Sequence, residues 1–254
     1  LDNYTTWVGI FGAIGLLLAL RKCNTLAQGL AILQACILAS IAAIMAGRLG
    51  FILLHFDYFQ DHLHESIKLM QTPGLSEHAA LLAGGWAGWR YLRPRQPDQF
   101  WGLACIVMWV GIGASLGCIE AGCGYGLEVW PTDHALAWAI SVDWPDAYTI
   151  SNPRLPTQIM LALWLLINVC SFHAIGPSVC DTGADSVKST NPFIILKPLI
   201  GQFSWLLWFA TGDLVIQFMR ADPAPMLWYL RAPQCLDITI IGVLLLYCIK
   251  KAIR

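Results

Sequence analysis

Gly111–Gly126 reads GIGASLGCIEAGCGYG and closes an apolar run, Trp101–Val110. Glycine at this density is costly in a helix, so it marks close backbone packing or the approach of a ligand. Two cysteines and one carboxylate, Glu120, which reads as buried, sit inside an otherwise apolar frame. A stretch of this kind belongs inside a membrane bundle, and the rest of the chain agrees. Hydrophobic residues make up 57% of it and charged residues 12%, against about 25% charged in a soluble domain. Mean hydropathy is +0.60.

Spanning helices need about 20 mostly apolar residues. Seven segments meet or approach that length: Tyr4–Leu20, Leu26–Leu54, Glu77–Leu92, Phe100–Ile119, Thr157–Ile175, Phe193–Met219 and Leu236–Ile253. The expected fold is therefore an all-α integral membrane protein, one transmembrane domain over residues 1–254, with about seven helices. Basic residues then orient it. Arg21, Lys22, Arg90, Arg93, Arg95, Lys188, Lys250, Lys251 and Arg254 fall on one side, and only Lys68, Arg154, Arg220 and Arg231 on the other. That pattern predicts an external N-terminus and a cytoplasmic C-terminus.

Leu127–Pro156 is the longest external connection, and its tryptophans and prolines predict an ordered cap at the interface, about residues 127–156. Gly176–Pro192, rich in Ser, Thr and Gly, reads as a mobile cytoplasmic loop. No internal repeat is present. Net charge near zero without a long basic run argues against nucleic acid as a partner. No cleavable leader is expected at the first span, because Arg21 and Lys22 follow it in place of a small-residue cleavage site.

The signature stretch resembles the bacterial prolipoprotein diacylglyceryl transferases. In that family a membrane helix runs through Gly-Arg-hydrophobic-Gly, then Asn or Cys, then a turn ending in an aromatic residue and Gly. Leu116, Gly117, Cys118, Gly122, Tyr125 and Gly126 keep this frame, with Glu120 inside it, while Ser115 takes the place of the arginine. The resemblance extends from Tyr4 to about Gln234, and implies seven helices, an external N-terminus and a small external head. It also implies transfer of a diacylglyceryl group from phosphatidylglycerol to the lipobox cysteine of a secreted precursor, releasing glycerol 1-phosphate. On that reading the partners are membrane lipid, the prolipoprotein signal peptide and, for a chain without activity, other membrane-protein subunits. The place is the bacterial cytoplasmic membrane. No resident cofactor or metal is expected, only phospholipid as ligand or substrate.

Each candidate residue has a structural reading beside the functional one. Arg48, in Ala46–Gly50 (AGRLG), is expensive at membrane depth unless it faces a polar cavity or a partner. It is either a lipid-phosphate contact or half of an internal ion pair with Glu120 or Asp213. His78 corresponds to the family's proposed general base, and a neutral imidazole can take a thiol proton near pH 7. A hydrogen-bonded structural histidine is the other reading. The family's Gly-Gly after it is Ala79–Ala80 here, which would crowd a ligand needing close backbone approach.

Tyr4 matches an active-site tyrosine of the family, or anchors the first helix at the interface. Pro156, Thr157 and Gln158 match the family's segment opening helix five, whose leading histidine is Leu155. Thr157 also reads as a helix N-cap. In the sixth span the family's second arginine is Asp213 and its glutamate is Gln217, whereas Arg220 persists. Arg220, Gln158 and Gln234 are the remaining candidates for lipid or phosphate contact.

Cys118 and Cys123 have a spacing open to a disulfide in an oxidising compartment, but two reduced cysteines are the expected state. His62 and His64 have the spacing of a metal pair on a strand, with solvated loop histidines as the default. A haem or pigment ligand among His55, His78 and His134 is a third class of reading. The replaced arginines favour a degenerate member, a lipid-binding or structural subunit, over an active divergent transferase.

Overall fold

The structure, a computed structural model, describes residues 2–69, 74–94, 100–146, 148–180 and 192–252. Helices dominate: α1 (Asp2–Leu20), α2 (Leu26–Leu54), α3 (Phe56–Phe59), α4 (Glu77–Leu92), α5 (Phe100–Ala121), α6 (Ala135–Ile140), α7 (Thr157–Cys180), α8 (Pro192–Gln217) and α9 (Ala232–Ala252). Over its described residues each segment read as a span coincides with a helix, except that α8 ends at Gln217, short of Met219. Among the described residues, four helices are long and apolar enough to cross a membrane: Asn3–Leu20, Leu26–Leu54, Phe100–Ala121 and Ala232–Lys250. Two short hairpins interrupt the helices, β1 (Val142–Pro145) with β2 (Ser151–Arg154), and β3 (Met226–Leu227) with β4 (Leu230–Arg231).

The chain forms two compact units. The first comprises Leu1–Leu16, Met108–Ala224 and Pro233–Arg254, and the second Leu17–Val107 and Pro225–Ala232.

In the second unit α2 and α4 pack antiparallel through small residues. Ala31, Ala35 and Ala39 are buried at four-residue spacing on α2, as is Gly47, and Gly84 and Gly88 are buried on α4. A Cβ at Gly84 would lie 2.9 Å from the Ala39 carbonyl oxygen, and one at Gly47 3.1 Å from the Ala80 Cβ. Backbones this close are the usual solution in lipid, where dispersion between small residues replaces hydrophobic drive. The α2 start is sealed by a capping box in which the Thr25 hydroxyl and the Gln28 side chain satisfy each other's backbone amides.

In the first unit α7 and α8 are joined by indole and amide donors. Trp164 Nε1 donates to the Trp208 carbonyl across 2.8 Å, and Asn168 Nδ2 to that of Trp205 across 3.1 Å. Gly212 lies under the Trp164 ring, leaving no room for a Cβ.

Two expectations change. Gly176–Cys180 continues α7 and is not loop, because the helical run persists through Ile175 into these residues. The remainder of the expected mobile loop, residues 181–191 with Lys188, lies outside the described residues, as do Arg95 and Arg254. His62 and His64 sit around a 3-10 turn (Leu63–Glu65), not on a strand. His62 stacks on Tyr58, with ring centroids 4.4 Å apart, and the phenol of Tyr58 donates to Glu65 across 2.7 Å. That hydrogen bond holds the Glu65 carboxyl below its usual range.

Candidate functional site

The signature stretch ends α5 in a turn built on two left-handed glycines, Gly122 (φ 64°) and Gly124 (φ 65°). Cys118 and Cys123 are joined as a disulfide with Cα atoms 4.7 Å apart, which corrects the expectation of two free thiols. The left-handed Gly122 folds the chain back, so that the Cys123 amide donates to the Cys118 carbonyl across 3.0 Å. Five residues of separation are thereby reduced to bonding distance. Spacing alone does not reveal such a reversal.

Backbone on both sides then holds the turn. Leu127 N donates to Met219 O at 2.8 Å and Ala221 N to Tyr125 O at 2.9 Å, which seats residues 125–127 along the end of α8. On the other edge Leu155 N donates to Leu127 O at 3.0 Å and Val129 N to Pro153 O at 2.9 Å. Gly126 is squeezed between these strands, and a Cβ there would collide with the Leu155 carbonyl. Gly126 is thus needed for packing against Leu155.

Side chains complete the clamp. Thr157 is the first residue of α7, but its hydroxyl donates to the Gly124 carbonyl across 2.6 Å. It therefore ties a distant turn to the helix and does not act as the N-cap read from the sequence. Gln158 Nε2 donates to the Cys123 carbonyl across 3.0 Å. Arg220 is gripped by Asp222 through two hydrogen bonds, 2.9 Å and 2.7 Å, and its guanidinium lies beside Gly124, 3.5 Å from where a Cβ would stand.

Arg154 is 5% exposed. It pairs with Glu128 at 2.7 Å and Asp146 at 3.2 Å, and lies 4.9 Å from the Tyr125 ring centroid. Burial, with the Asp146 and Asp222 carboxylates nearby, pushes the Tyr125 phenol above its ordinary value. Glu128 and Asp146 were not legible as partners of Arg154, because nothing in their sequence spacing announces these contacts, whereas Asp222 lies only two residues from Arg220.

Upstream, Gly117 receives α1. A Cβ at Gly117 would lie 3.0 Å from the Tyr4 Cα and 2.8 Å from Cδ2 of its ring. Trp7 Nε1 donates to Glu120 across 3.2 Å. Glu120 is exposed, not buried as its apolar neighbours suggested, because it occupies the last turn of α5. Ser115, read from the sequence as standing in for the family's arginine, is buried and donates its hydroxyl to the Gly111 carbonyl at 2.9 Å, within its own helix. Asp213 is fully buried and accepts from Gln217 Nε2 at 3.2 Å, one turn on. Gln234 is buried near the start of α9, and Pro156 immediately precedes α7.

The second unit holds Arg48 and His78. Arg48 is buried, and its guanidinium donates from Nε to Ser66 O (2.7 Å), from Nη2 to Glu65 O (2.7 Å) and from Nη1 to Gly74 O (3.3 Å). Phe59 and Phe51 flank it at 5.2 Å and 5.8 Å. Three carbonyls around one planar cation form a loop clamp. The neighbouring glycines fit α4: Gly50 would place a Cβ 2.7 Å from the Ala79 Cβ, and Ser76 N donates to Gly47 O at 2.8 Å. Ala79 and Ala80 thus sit against the α2 glycines, where their methyls fill a helix contact. His78 is 1% exposed, with Nδ1 3.8 Å from the Glu77 carboxylate. Of the other histidines, His55 Nδ1 lies 3.0 Å from Phe51 O, and His134 Nδ1 accepts from Leu136 N at the start of α6.

Long apolar helices with buried arginines, amides and carboxylates define a multi-pass membrane protein. The chain belongs to the prolipoprotein diacylglyceryl transferase family, whose model matches residues 4–249. Among curated proteins none matches the sequence.

Proposed function

We propose that this chain is a degenerate member of its family, a phospholipid-binding or structural subunit of a bacterial inner-membrane assembly. One observation carries the reading: where the family has two arginines this chain has a neutral and an acidic side chain, each with a hydrogen bond inside its own helix. Ser115 turns its hydroxyl onto Gly111, and Asp213 takes a hydrogen bond from Gln217. Transfer from phosphatidylglycerol to a thiol needs positive charge on the departing phosphate, and loss of one such preorganised contact typically costs about 10²–10³ in rate. Asp213 would repel that phosphate. Two of the remaining arginines are engaged locally, Arg48 by three carbonyls and Arg220 by Asp222.

A second reading, an active divergent transferase, has its own support. His78 is buried beside Glu77, as a general base positioned by a carboxylate would be. On this reading Tyr4, Arg48, Arg220, Gln158 and Gln234 share the remaining work.

The topology we propose has seven spans, an external N-terminus and an external cap over residues 127–156. The disulfide supports it, because such bonds form in the oxidising periplasm. Tyr4 packs on Gly117, next to that disulfide, so the N-terminal end of α1 shares its side of the membrane.

The test is a transfer assay on purified protein with labelled phosphatidylglycerol and a lipobox peptide. No turnover by the unmodified chain, with lipid retained, is the expected result. Turnover that disappears in His78→Ala would establish the second reading. Ser115→Arg with Asp213→Arg asks whether the scaffold still accepts the chemistry.

A further inference from the structure

α2 and α4 leave a groove on one face of the second unit, about 520 Å³ in volume. Leu38, Ile41 and Met45 of α2 and Trp86 of α4 line it, and Arg90 and Tyr91 stand at one end. These apolar side chains are among the most exposed in the chain, Met45 at 68% and Trp86 at 65%. Antiparallel packing explains the polarity of the groove. Tyr91 hydrogen-bonds Gln34 toward the start of α2, so Arg90 lies at that end, in the last turn of α4, and Met45 lies toward the other. From Leu38 to Met45 the groove wall rises about 10 Å along the helix.

Among the described residues no carboxylate pairs with Arg90. A second basic group, Arg93, stacks on Trp89 at 5.0 Å just beyond the end of the same helix. Arginine and tryptophan together at a helix end mark the depth of lipid phosphates. One end is thus cationic and aromatic, and the rest is an exposed apolar wall. We propose that this groove is a binding site for one anionic phospholipid, with its phosphate on Arg90 and an acyl chain laid along Leu38, Ile41 and Met45. The small Ala42 forms part of the lining, which leaves the width for a chain. The site lies outside the signature turn, and does not depend on whether that turn supports transfer.

Native mass spectrometry of the detergent-solubilised full chain, titrated with phosphatidylglycerol or phosphatidylcholine, tests this. Arg90→Gln should weaken retention of phosphatidylglycerol about fivefold, the worth of one interfacial basic residue, and leave phosphatidylcholine unchanged. Ala42→Trp should fill the groove and remove one bound lipid while the thermal melt stays near that of the parent. Gly85→Ala, on α4 but not in the groove lining, should not alter the Arg90-dependent lipid. Equal retention by parent, Arg90→Gln and Ala42→Trp would overturn the site. Loss in Ala42→Trp alone would overturn the anionic headgroup. A dimer in the parent that Ala42→Trp dissociates would assign the groove to a second copy and overturn the lipid.

Discussion

Thr157 donates its hydroxyl to the carbonyl of Gly124 across 2.6 Å, joining residues 33 apart in sequence and fully inside the fold. The signature turn is therefore held from α7 by a neutral hydrogen bond. Thr157→Val should remove the donor and strand a buried carbonyl, at about 2 kcal/mol. Thr157→Ser should retain most of the stability. Thermal unfolding in detergent distinguishes them, and equal losses would mean that the methyl group, not the hydroxyl, matters.

Three glycines should rank by what surrounds them. Gly126→Ala meets the Leu155 carbonyl and should abolish accumulation of folded protein. Gly124→Ala meets only the edge of Arg220, so its cost is the left-handed backbone, about 1 kcal/mol. Gly85→Ala, with open space around it, should be neutral or slightly stabilising. Expression and melting temperature of the three variants give the order.

Arg48 should behave as a loop clamp. Arg48→Lys keeps the charge but cannot reach three carbonyls in a plane, so it should cost about 3 kcal/mol and speed hydrogen exchange at Leu63–Leu69. Unchanged exchange together with lost lipid retention would instead make Arg48 a phosphate contact.

Cys118→Ser should lower stability by about 2 kcal/mol, the loop-closure value for so short a ring. In the parent, alkylation under denaturing conditions should modify Cys118 and Cys123 only after reduction. Labelling before reduction would contradict the bond.

Tyr125 predicts an alkaline limit. Its phenol is raised by burial first and then by Asp146 and Asp222. A folded value above the unfolded one, near 10, means that the neutral form is the one the fold prefers. Its contribution is complete below about pH 10 and is lost as pH rises through the raised folded value. Melting temperatures from roughly pH 8 to pH 11 should fall more steeply for the parent than for Tyr125→Phe. Parallel curves would remove Tyr125 from the cause.

The sequence by itself determined the membrane class, the mostly helical fold and the family, because apolar length and the order of short motifs are local properties. Gly117, Cys118, Tyr125 and Gly126 could be matched one after another along the chain. Read beside the family, it also set Ser115 and Asp213 where arginines are expected. Contact was another matter. Whether Arg48 would meet a carboxylate or a set of carbonyls depended on where Glu65, Ser66 and Gly74 returned to α2. Whether Cys118 and Cys123 would bond depended on the backbone reversal at Gly122. Thr157 looked like a cap until Gly124 was brought beneath its hydroxyl. Polar groups in an apolar interior must find partners, but hydrogen bonds reach only about 3 Å. Which partner comes that close is set by how distant segments pack, and only the tertiary structure decided it.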